Sequence, residues 1–105
     1  MPNHFIDLDT PRAQLPVDQL PRGPVRFPQR ILDQVTKDRA KFAPEIYTEA
    51  YARATLENQT LAYYYEGLPV AYRSVADGVE VLAVGWEEVA RYRQAPEKDV
   101  RVVQP

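Results

Sequence analysis

The apolar positions fall into two regimes after residue 28. Ile31, Leu32, Val35 and Phe42 recur at roughly helical intervals with charges between them, which predicts a helix over 29–42. Pro44 suits the first turn of a second helix, where no amide hydrogen is needed. Ile46, Tyr47, Ala50, Tyr51 and Ala54 then place an apolar face on an amphipathic helix over about 44–58, with Asn58 as its stop. A single helix kinked at Pro44 is the other solution. Beyond this point the period shortens to two. Thr60–Glu66 is rich in strand-favouring residues, Gly67 and Pro69 mark a turn, and Val70–Val75 continues as a second strand. Asp77-Gly78 signals a tight hairpin into a third strand, Val79–Val84. Trp86–Arg93 reads as a short helix, with Glu87 and Glu88 at its positive start and Arg91 and Arg93 at its negative end. Pro96 closes it, and Val100, Val102 and Val103 alternate well enough for a short fourth strand.

Residues 1–28 follow neither period. They hold six of the ten prolines, each fixing φ and lacking a donor, so the segment reads as an extended arm. Phe5, Ile6, Leu8, Leu15, Val17, Leu20, Val25 and Phe27 recur between them, which a solvated spacer would not carry. Such an arm lies along a surface, its own domain's or a partner's. The fold expected is α+β: two N-terminal helices, a three- to four-stranded antiparallel meander and a short C-terminal helix, with the helices on one face of the sheet. The domain is expected over 29–105 and the arm over 1–28. The nearly continuous apolar run of the third strand calls for cover on both faces or partners on both edges, because an exposed edge of this kind aggregates. The tail, the arm, or the same strand of a second chain would supply the missing partner.

A chain of 105 residues supports one domain. Thirteen basic against fifteen acidic residues give a net charge of −2, which disfavours duplex nucleic acid as the main partner. With no Cys there is no disulfide, thiolate metal site or thiol nucleophile. No run is long and apolar enough to span a bilayer and no signal peptide precedes the first Pro, so a soluble cytoplasmic protein is expected. Catalytic groups are scarce. His4 and Ser74 are the only residues of their types, one in the arm and one at a strand end. His4, Asp7 and Asp9 have metal-ligand character, but a local turn before Pro11 accounts for them more simply. Glu87 and Glu88 are adjacent on a helix and do not face each other, so they make no shared-proton pair. Glycines are scattered, with no phosphate-binding loop. No enzyme, cofactor or metal is expected.

Tyr63, Tyr64 and Tyr65 are consecutive, with Tyr72 and Arg73 on the next strand. Strand alternation would put Tyr63 and Tyr65 on one face. An aromatic face serves protein contact, or stacking of single-stranded nucleic acid with Arg73 on phosphate. Residues 59–105 carry five basic against seven acidic side chains, which favours protein contact. Trp86 reads as a core anchor at the sheet–helix junction that can also serve contact. The stretch 67–93, with Gly67-Leu68-Pro69-Val70-Ala71 ahead of a short helix, resembles the strand–strand–helix of prevent-host-death type antitoxins and implies DNA contact. It departs from that pattern by an added strand within 74–85 and by lacking basic character. The leading expectation is a non-catalytic module that binds a protein partner or itself through Phe5, Leu8, Leu15, Leu20, Phe27, Tyr63, Tyr65, Tyr72 and Trp86. The alternative is a regulator that contacts nucleic acid.

Overall fold

Proline fixes where the first regular elements begin. In the computed structural model, which describes residues 16–42 and 46–105, Pro16 opens a single 3-10 turn over Val17–Gln19. Strand β1 (Gly23–Arg26) follows, and Pro28 caps helix α1 (Gln29–Lys41), its carbonyl accepting from the amides of Ile31 and Leu32. Helix α2 spans Glu49–Tyr64 and starts where the Thr48 hydroxyl accepts from the Tyr51 amide at 3.1 Å. Pro44, the expected start, lies outside the described residues. Strands β2 (Val70–Val75) and β3 (Gly78–Val84) form the hairpin expected at Asp77-Gly78, helix α3 spans Trp86–Gln94, and β4 is Arg101–Val103. The architecture is mixed α+β with an antiparallel sheet in the order β1-β3-β2-β4.

Two expectations are corrected here. Residues 60–64 are helical, not a strand, and Asn58 stops nothing. Glu57, Thr60, Leu61 and Tyr64 are all buried at i, i+3, i+4 and i+7, so packing of this stripe overrides the β preference of the tyrosines. The face of α2 that looked apolar turns outward, leaving Ile46 and Tyr51 exposed. Tyr47 alone of that set is buried, donating to the Val35 carbonyl at 3.1 Å.

Residues 16–28 belong to the fold, and the boundary expected at residue 28 would cut the sheet. β1 pairs with β3 from Gly23↔Val81 to Arg26↔Gly78, so this part of the arm is the partner that the apolar β3 run demanded. A Cβ on Gly78 would sit 1.9 Å from the Val25 carbonyl oxygen, a separation that glycine alone permits. Pro24 leaves the outer edge of β1 short of a donor, which blunts it against further pairing. The motive for extending the sheet through β3 of a second chain is thereby removed.

The main core holds Leu20, Val25, Phe27, Leu61, Tyr64, Tyr65, Val70, Tyr72, Val79, Val81 and Val84, with Ile31, Val35 and Tyr47 continuing it between the helices. Helices do not all lie on one face. Ala71 and Ala83, paired in register, pack instead with Val89 of α3 and with Tyr92, Val100 and Val102. Two small side chains let α3 sit close against the second face of the hairpin. β3 is thus covered on both faces and paired on both edges.

Candidate functional site

Helix α2 carries one ionisable side chain into the interior, and its surroundings decide whether it is reactive. Glu57 is fully buried. Arg53 Nε donates to Oε1 at 2.7 Å and Tyr72 Oη to Oε2 at 2.9 Å, while the Ser74 hydroxyl also donates to Oε1 and Arg101 Nη1 lies 3.5 Å from Oε2. Burial alone would raise the Glu57 pKa; the hydrogen bonds from Ser74, Arg53 and Tyr72 and the Arg53 charge outweigh it and hold the carboxyl below its ordinary value. The Tyr72 phenol is pushed up to about 12 by burial, by its hydrogen bond to Glu57 and by that residue's charge. A carboxylate with donors on both oxygens and a lowered pKa is a poor proton acceptor, and a phenol held so firmly is a poor acid. Arg53 also reaches the carbonyls of Val75, Ala76 and Gly78, the last at 2.5 Å. The cluster therefore fastens α2 to the β2–β3 turn. A depression of about 310 Å³ beside it is lined by Arg73, Ser74, Asp99 and Arg101. Its cations are already matched, Arg73 with Glu80 and Glu97, Arg101 with Glu57.

A second feature is built differently. Gly85 caps α3 with φ +93°, a conformation that suits glycine, and Val17 Cγ1 would stand 3.1 Å from any Cβ there. Trp86 stands at the first helical position, directly after the cap, and is 54% exposed. Arg93 stands 5.4 Å from the centre of its ring. Val17, 44% exposed, and the half-buried Leu68 share with Trp86 a depression of about 520 Å³. Arg22 ties its two walls together, bonding Glu88 of α3 and the carbonyls of Leu20 and Val17 before the strand. The remaining lining carboxylates, Asp18 and Glu87, are exposed and form no ion pair with another described residue.

Of the residues expected to make contacts, Phe5, Leu8 and Leu15 lie outside the described residues. Leu20, Phe27, Tyr65 and Tyr72 are core, and the Tyr65 hydroxyl donates to the Pro21 carbonyl at 2.7 Å. Burial pushes the Tyr65 phenol up. Tyr63 is half-buried on helix α2 beneath Arg30, 3.8 Å from its ring centre. The expected aromatic sheet face does not exist, because the segment that would have carried it is helix. Trp86 departs in the opposite sense: expected as a core anchor, it is 54% exposed. Val17, Leu68, Asp18 and Glu87 are not among the residues expected to make contacts. Only their pairing with Trp86 in space identifies them, since Glu87 reads in sequence as helix-start charge.

No family model, curated protein or solved structure matches the chain. Among the described residues no helix is long and apolar enough to cross a membrane, and no group of three acidic or histidine side chains converges on a metal position.

Proposed function

We propose that this chain is a small non-catalytic protein-binding module whose contact surface is the depression between the 3-10 turn and the start of α3. The observation that carries the reading is Trp86, a large aromatic side chain left half in solvent over an apolar hollow with Val17 and Leu68. Tryptophan is the residue most enriched where binding energy concentrates, and an exposed apolar cluster with a polar rim has the form of an interface. The inertness of the Glu57 cluster supports a role without catalysis. Residues 16–28 contribute to this surface from within the fold, Val17 by forming one wall.

The test compares the full chain with Trp86→Ala. Because Trp86 is exposed, the variant is expected to keep its far-UV circular dichroism. A protein captured from native lysate by the wild-type chain is identified, purified and titrated against both. A binding loss of about thirtyfold is expected for a central aromatic contact. A purified partner that binds Trp86→Ala with unchanged affinity refutes the reading.

A further inference from the structure

The charged residues that line the Trp86 depression are acidic, with Arg93 beside the Trp86 ring and Arg22 bound to Glu88 as the cations nearby. Among the described residues, Asp18, Glu87 and Glu88 are its charged lining residues, and none of the lining side chains is basic. Arg22 is committed to Glu88, whereas Asp18 and Glu87 point no ion pair at any described residue. Glu87 also sits in the first turn of α3, where a carboxylate is favoured by the helix dipole. The floor is apolar, with Trp86, Val17, Val84 and Leu68. An apolar lining with two carboxylates that form no ion pair with another described residue complements a segment that places an apolar side chain between cations. We infer that the depression docks a short cationic segment of another protein, an aliphatic or aromatic residue against Trp86 with Lys or Arg beside it. This rests on the proposed role of the depression in protein binding and adds the partner's chemistry.

Charge at an interface rim acts mainly on association rate, selectivity and salt response, while the apolar anchor sets the basal affinity. The two contributions therefore separate experimentally. Trp86 is the only tryptophan, so its emission reports occupancy of this one place in the full chain. Three acetylated and amidated hexapeptides serve as probes, each with a central Leu-Leu pair flanked by lysines, by serines or by glutamates. Covering Trp86 is expected to move its emission to shorter wavelength. The lysine peptide is expected to bind about fivefold or more tighter than the serine peptide, and the glutamate peptide weakest, from two exposed ion pairs. In the double variant Asp18→Asn/Glu87→Gln the lysine peptide is expected to fall to the serine peptide's affinity, with the serine peptide unmoved. Raising salt from about 50 to 500 mM is expected to erase the same difference.

Equal binding of the lysine and glutamate peptides, or a lysine peptide indifferent to the double variant, overturns the inference and leaves the docking role standing. Failure of the lysine peptide to bind also overturns it, and the Trp86→Ala titration against a purified partner then judges the docking role separately. Trp86 emission that shifts on dilution of the free chain makes a second copy the occupant and overturns the inference as well. A concentration-independent blue emission that reddens on removal of residues 1–15 assigns the surface to the chain's own arm, with the same consequence.

Discussion

Replacing Glu57 by Gln changes one atom's chemistry at a site with no solvent access, so its cost can be worked from the contacts. Both carboxylate oxygens receive donors: Arg53 and Ser74 at Oε1, Tyr72 and Arg101 at Oε2. A glutamine offers one oxygen and one donating nitrogen. With the oxygen toward Arg53 and Ser74, the Tyr72 hydroxyl can rotate to accept from the amide nitrogen. Arg101, which is 61% exposed, can turn into water. What is lost is ionic reinforcement. A hydrogen bond to a charged group contributes about 1.5–3 kcal/mol and a neutral one about 0.5–1.5, so weakening the Arg53 and Tyr72 bonds costs about 2 kcal/mol together. At a urea slope of about 1.5 kcal/mol/M, the unfolding midpoint followed by circular dichroism should fall by about 1.3 M at pH 7. The effect carries a pH signature. The folded Glu57 pKa lies below its unfolded value of 4.5, so its ionised form stabilises the fold above that pH. This stabilisation disappears as pH falls through the folded pKa. The gap between wild type and Glu57→Gln should therefore narrow progressively below pH 4.5. A variant as stable as wild type at pH 7, or a gap unchanged down to pH 2, refutes the assignment of Glu57 as an ionised fastening.

Two further outcomes probe how β1 is held. Gly78→Ala places a Cβ 1.9 Å from the Val25 carbonyl oxygen, and backbone on both sides leaves nothing flexible to yield. We expect loss of β1–β3 pairing, read as loss of hydrogen-exchange protection at the Val25 and Val79 amides; full protection in the variant refutes the packing described. Removing residues 1–28 strips Leu20, Val25 and Phe27 from the core, about 2 kcal/mol each and about 6 in sum, comparable to the whole stability of a small domain. The 29–105 fragment is expected to show no cooperative urea transition, and a two-state unfolding curve for it contradicts the assignment of residues 16–28 to the fold.

The hairpin was the most legible part of the chain. Asp77-Gly78 between two β-branched runs leaves few alternatives; the hairpin forms there with its turn one residue earlier, at Ala76-Asp77, and Gly78 opening β3. α3 was equally plain from its flanking charges and Pro96. The extent of α2 was not, for a specific reason. Its buried stripe begins with Glu57 and Thr60, two polar residues that hide the helical period, while three tyrosines imitate a strand. Glu57 becomes an interior residue only once Ser74 and Tyr72 from β2 and Arg101 from β4 are brought to it, and these pairings span 15 to 44 residues of sequence. β1 was obscured by prolines, which argue against a central strand but are compatible with an edge. Trp86 misled through its type: its bulk favours burial, but it is Val89, with Tyr92, that α3 packs on the Ala71–Ala83 pair.

The order β1-β3-β2-β4 also sets a timetable for assembly. The central β2–β3 hairpin joins neighbours in sequence across a two-residue turn and can close in microseconds. β1, at residues 23–26, finds its register only against residues 78–81, with both long helices intervening, and β4 at 101–103 can dock only on β2. The outer strands are thus the late arrivals, and the entropic toll of closing the longest loop falls on β1. During synthesis the segment that shields β3 is made first and waits longest, so until β1 closes, the most apolar strand of the chain presents an open edge. The short interval between hairpin closure and β1 docking is where this protein is most exposed to self-association, and Gly78, which admits the incoming backbone, is the residue on which that interval turns.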